Sequence, residues 1–227
     1  MRAGIKAILV GYLGSGVLAM GTLATSVPAL AGEPGSGLLA ASSWLSEVRL
    51  GAIQHDPKNL PLLGKSGTEA RDYEKGFDFN AELLFPSPDN RLFRTLLSPR
   101  PHLGGMVNSR GKTNHAYAGL TWDYAHNSGL FIDGSFGFAL HDGKLKTPRD
   151  GDGGTCSGGA PRFYCIDGWE SLGSRILFRE AVSLGYRFTP QHNVSFTVSH
   201  ISNGGIFDST NGGMNFAGLR YGYRLAP

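Results

Sequence analysis

From Glu47 onward, apolar and polar residues change places at nearly every second position. Eight segments carry this alternation: 47–55, 76–85, 101–108, 116–124, 129–141, 175–188, 193–202 and 215–225. A period of two is that of a β-strand with two unlike faces, and the Gly, Pro, Asn and Ser clusters between segments read as turns. In "GFDFNAELLF", Phe77, Phe79, Ala81, Leu83 and Phe85 oppose Asp78, Asn80 and Glu82. In "NFAGLRYGYRL", Leu219, Tyr221, Tyr223 and Leu225 oppose Arg220 and Arg224.

Two architectures bury one face of such strands. A water-soluble sandwich hides the apolar set. A membrane barrel turns the apolar set to lipid and packs the polar set inside. The segments run about nine to fourteen residues, the span of a tilted membrane strand. Short connections at 126–128 and 189–192 contrast with longer ones at 56–75, 142–172 and 203–214, as in barrels with short periplasmic turns and long outer loops. The stretch 86–100 is long where a short turn is expected. The expectation is an all-β, eight-stranded antiparallel transmembrane β-barrel, with an interior filled by side chains rather than a pore.

The first 31 residues read as a cleaved signal peptide: Arg2 and Lys6, an apolar run from Ala7 to Leu23, then Ala29-Leu30-Ala31. Residues 32–227 are expected to form the single barrel domain. Export makes a disulfide between Cys156 and Cys165 the expected state of "GTCSGGAPRFYC". A net charge of +3 is too small to argue for nucleic acid.

In "SFTVSHISNGG", the apolar face Val194, Phe196, Val198 continues into His200 and Ser202. Strict alternation turns both towards lipid at the outer rim, where a polar pair on the greasy side needs a reason. Residues i and i+2 stand roughly 6.5–7 Å apart, within reach of a hydrogen bond between their side chains. A serine hydroxyl needs a base to become a nucleophile, and the base needs an orienting partner. Asn215 has the outward parity of the last strand and lies across the hairpin. Asn203, Gly204 and Gly205 follow the serine at a sharp bend, where amide groups can receive an oxyanion.

These residues resemble the PagL-type lipid A 3-O-deacylases. The resemblance rests on His200-x-Ser202-Asn203, Gly205, "NGGMN" (211–215) and the "LRYGYRL" ending, and more diffusely on "VRLGAIQHD", "ELLFPSP" and "SPRPHLG". It implies an eight-stranded barrel of the bacterial outer membrane that removes the 3-O-linked acyl chain from lipid A of lipopolysaccharide, without metal or other cofactor. It implies His200 as base, Ser202 as nucleophile, Asn215 as orienting group, and Asn203 with Gly205 as oxyanion donors. Where the family pattern has a glutamate, this chain has Asn215. Asp208 is the carboxylate that stands nearest in the same loop.

Other motifs do not hold up. Asp150 and Asp152 begin a calcium-like loop, but its twelfth position is Pro161. "GKSGT" lacks the upstream glycine of a phosphate loop, Asn59 standing there. Lys144, Lys146 and Arg149 fall in a long outer loop and are candidates for lipid phosphates. A small barrel with a structural or adhesive role is the alternative to the esterase.

Overall fold

The computed structural model describes residues 44–57, 74, 76–145, 165–166, 169–207 and 213–225. Residues 1–31, read above as a signal peptide, Cys156, the side chain of Cys165, Asp208, the 150–161 loop and the 64–68 motif lie outside the described residues. Ten strands occur among them: β1 Glu47–His55, β2 Phe77–Leu84, β3 Arg100–Asn108, β4 His115–Ala125, β5 Leu130–His141, β6 Cys165–Ile166, β7 Trp169–Glu170, β8 Ile176–Arg187, β9 His192–Ser202 and β10 Met214–Arg224. Eight of these close into an antiparallel barrel in the order β1-β10-β9-β8-β5-β4-β3-β2. Each expected segment matches a strand to within one residue at either end. The period-two pattern and the turn residues that bound it place the strand ends.

The alternation fixes which side chains meet which medium. Leu50, Phe79, Leu103, Phe138, Leu184, Phe196 and Leu219 all stand exposed on the outside, around the whole circumference. Among the described residues no second sheet covers this surface. An apolar surface of that extent needs hydrocarbon rather than water, which rules out the sandwich. Among the described residues no helix is long and apolar enough to cross a membrane. The strands do the crossing.

The interior has two zones. Near the mouth with short turns, Arg49 reaches Glu47 (2.9 Å), Asp133 (3.0 Å) and Glu82 (3.3 Å), and Arg220 reaches Glu82 (3.0 Å). Tyr117 donates to Glu82 at 3.0 Å and lies under the Arg179 guanidinium, 3.9 Å from the ring centroid. Towards the other mouth apolar side chains join the filling: Ile53, Met106, Leu172, Leu177, Ile201, Met214 and Phe216 belong to one buried cluster, with His55 and His115 packed against Phe216. This interior is packed with side chains, as a barrel of eight strands allows.

Two features escape the alternation. Within 86–100 a short helix, α1 Arg91–Thr95, is capped by Asn90, whose Oδ1 accepts the Phe93 N–H at 3.0 Å. Trp122 Nε1 donates to Leu96 O (2.8 Å) and ties this stretch to β4. At the long-loop mouth β6 and β7 form a small two-stranded sheet. Glu74 anchors it there, accepting from the Glu170 N–H (2.8 Å), the Thr113 N–H (2.9 Å) and Thr113 Oγ1 (3.0 Å), and contacting His55 Nε2 (3.1 Å). Burial pushes the Glu74 carboxyl up, but the His55 and amide hydrogen bonds outweigh it and hold it below the usual carboxylate range.

Glu82 is shared by Arg49, Arg220 and Tyr117, so its loss leaves buried cations under-compensated. Glu82→Leu is expected to lower stability by about 3 kcal/mol. Urea unfolding in lipid vesicles, followed by Trp fluorescence, checks this.

Candidate active site

β9 rises from the short-turn mouth with Val194 and Phe196 exposed and Ser195, Thr197 and Ser199 buried inside. The parity holds to the end of the strand. Val198 keeps the outward position although it is covered, Ile201 is fully buried in the interior, and His200 and Ser202 are half-buried on the outer side. The strand register brings two further side chains to the level of His200. Asn215 of β10 pairs with it on one flank, and Glu180 of β8 pairs with it on the other.

Asn215 does what a histidine needs from a partner. Its Oδ1 lies 2.7 Å from His200 Nδ1. The amide oxygen can only accept, so Nδ1 carries the proton and Nε2 keeps its lone pair. Asn215 is itself fixed at the backbone: its carbonyl accepts from the Asp56 N–H (2.9 Å) and its N–H faces Asp56 Oδ1 (3.4 Å). Gly213 closes over the imidazole. A Cβ added there would stand 2.8 Å from His200 Cε1 and 3.2 Å from Nε2, and its φ of +61° suits glycine.

Ser202 is two residues further along the same face, paired with Phe178 of β8. Among the described residues no hydrogen bond joins its hydroxyl to His200. Phe178 belongs to an aromatic surface beside the serine, with ring centroids 5.4 Å from Phe138 and 5.7 Å from Phe207.

The expected oxyanion donors are arranged differently from the expectation. Asn203 continues the alternation and turns inward, fully buried, its Nδ2 donating to Leu172 O at 3.2 Å. Its Oδ1 accepts the Gly205 N–H at 2.7 Å. Both candidate donors are therefore engaged within the protein. The chain turns here with positive φ at Gly204 (+62°) and Gly205 (+71°), closed by Ile206 N–H to Asn203 O (3.1 Å), in the manner of a type I′ turn.

Residues 114–224 match the lipid A 3-O-deacylase (PagL) family model. The family resemblance holds over that stretch, which contains every site residue named above except Asp56. With the lipid-facing barrel surface, the PagL match makes this chain a β-barrel of the bacterial outer membrane. No curated relative matches it in sequence. Among solved structures it is similar to the outer membrane enzyme PagL, at 16% identity over 79% of this chain and 98% of that chain, with a TM-score of 0.48. A de novo designed barrel, TMB2.3, has 10% identity over 82% and 99%, with a TM-score of 0.42. Neisserial surface protein A (NspA) has 11% identity over 81% and 96%, with a TM-score of 0.38. At these scores the architecture rests on the strand pairing itself.

Two residues at this site went unread in the sequence. Glu180 interrupts the apolar parity Ile176, Phe178, Val182, Leu184, and writing out that strand's two faces would have exposed it. Gly213 was visible within "NGGMN" without a role. Of the basic loop residues, Lys144 is described, its Nζ 5.5 Å from the Trp169 ring centroid, where Lys112 also sits at 4.6 Å. Lys146 and Arg149 lie outside the described residues.

Gly213→Ala is expected to displace the His200 ring, shifting its Cε1–Hε1 NMR resonance. Gly205→Ala, where a Cβ meets nothing within 4 Å, is expected to leave that resonance in place.

Proposed function

We propose that this barrel is an outer-membrane esterase that removes the 3-O-linked acyl chain of lipid A by a serine-histidine mechanism. The observation that carries the reading is the outward rung at His200: Nδ1 bonded to Asn215, Nε2 with its lone pair, and a serine two residues on along the same face. The PagL family match supplies the substrate class. Lipid A of lipopolysaccharide is the partner, reached from the outer leaflet.

In this reading Ser202 Oγ attacks the ester carbonyl carbon while His200 Nε2 takes the hydroxyl proton. The Nδ1–H bond to Asn215 holds the ring in the needed tautomer. The tetrahedral intermediate collapses, the C–O bond to the sugar breaks, and His200 returns the proton to the departing 3-oxygen. Water then attacks the acyl-serine with His200 as base, releasing the fatty acid and restoring Ser202. Asn203 and Gly205 serve the oxyanion only if substrate displaces the bond between them. The paired glycines, both at positive φ, let that turn adjust. The acyl chain lies along the outward apolar face, with Phe178 beside the serine.

Ser202→Ala is expected to slow deacylation on the order of a thousandfold or more, with the barrel still folded. Mass spectrometry of lipid A from expressing cells reads it as retention of one acyl chain. Loss of that chain in the variant as in the wild type contradicts the mechanism. Lipid A that is the same with and without the wild-type protein returns the barrel to a structural role. Gly205→Ala, forced into a left-handed backbone, is expected to lower the rate about fivefold, checked by the same assay.

A further inference from the structure

On the outward positions of all eight barrel strands, one side chain is formally charged at neutral pH. It is Glu180. Every other acid and every Lys or Arg of these strands has the inward parity. A carboxylate on a lipid face is disfavoured and marks a functional position by default. Its neighbours on that face give it no reason to be there: Phe178 and Val182 along β8, and Phe136 across β5. Arg179, next in the chain, turns inside over Tyr117. The remaining neighbour is His200, directly opposite on β9. Side chains so paired have Cβ atoms about 5 Å apart.

We propose that Glu180 is a positioning residue for the base, acting from one flank of His200 while Asn215 acts from the other. Asn215 orients the imidazole through Nδ1 but carries no charge. Glu180 supplies the negative charge that stabilises the imidazolium formed when His200 takes the serine proton, acting through space from the opposite flank. The inference rests on the esterase reading of Ser202 and His200. Among the described residues, the other neighbours of the ring are neutral: Val198 and Ser202 along β9, Ala217 and Asn215 on β10, and Gly213. Asp56 is the other acid among the described residues near this rung, and its Oδ1 faces the Asn215 backbone N–H.

The test compares purified full-length wild type with Ser202→Ala, Glu180→Gln, Asp56→Asn and the double variant Glu180→Gln/Asn215→Glu, in vesicles containing lipid A. Folding of each is checked by heat-modifiable gel mobility, and kcat and KM are followed over pH. Glu180→Gln is expected to lower kcat about 10- to 100-fold with KM little changed. The acid limb of its kcat/KM profile should move to lower pH, because a lost negative charge makes the imidazole a weaker base. Asp56→Asn should move that limb less. A carboxylate restored at position 215 should recover most of the rate, which a merely structural role for Glu180 would not permit. If Glu180→Gln keeps its rate and its acid limb, if the shift follows Asp56→Asn instead, or if the double variant stays as slow as the single, the proposal is overturned while an inactive Ser202→Ala leaves the esterase reading standing. An inactive wild type, or an active Ser202→Ala, overturns both.

Discussion

Everything in this molecule follows from one constraint: a closed antiparallel sheet gives each side chain one of two media, with no third choice. Odd and even positions along a strand part company at every residue. Closure of β1 on β10 removes the edges that would let a strand slip or pair elsewhere. Lipid then accepts the apolar set, and the interior must neutralise the polar set by itself. The mutual arrangement of Arg49, Arg220, Glu47, Glu82 and Asp133 is that neutralisation. Burying each ion costs solvation, and their mutual pairing offsets that cost.

The same constraint makes polar groups on the outside conspicuous. At the level of His200 three adjacent strands contribute Glu180, His200 and Asn215 side by side, with Ser202 one step towards the long-loop mouth. Chemistry at the rim of a barrel needs no internal cavity. In the proposed reaction the substrate would arrive laterally in the leaflet, and the apolar strand faces that hold the barrel in the membrane would also hold the acyl chain. Phe178 links the two uses, pairing with Ser202 and stacking on Phe207.

Much of this was legible in the chain. Alternation located all eight barrel strands, and parity alone put His200 and Ser202 on the outer face and Asn215 beside them. What alternation could not reach was local hydrogen bonding and cross-strand register. The Asn90-capped helix sits in a stretch read as an oversized turn, because a five-residue helix leaves no periodic trace. The inward turn of Asn203 continues the alternation, but its bond to the Leu172 carbonyl, some thirty residues earlier in the chain, is announced by no local pattern. Asp208, the acid nearest in sequence, lies outside the described residues. The register brings a second acid, Glu180, from the preceding strand, which proximity in sequence does not reveal because β9 has two neighbours.

The central claim is that the outward serine at the end of β9 is a nucleophile activated by its neighbour. Its most direct test is covalent labelling in intact outer membranes with a lipophilic fluorophosphonate, followed by peptide mass spectrometry. The account requires the adduct on Ser202, and its disappearance in His200→Ala. An unlabelled Ser202 in a folded barrel, or labelling that persists without the histidine, contradicts it.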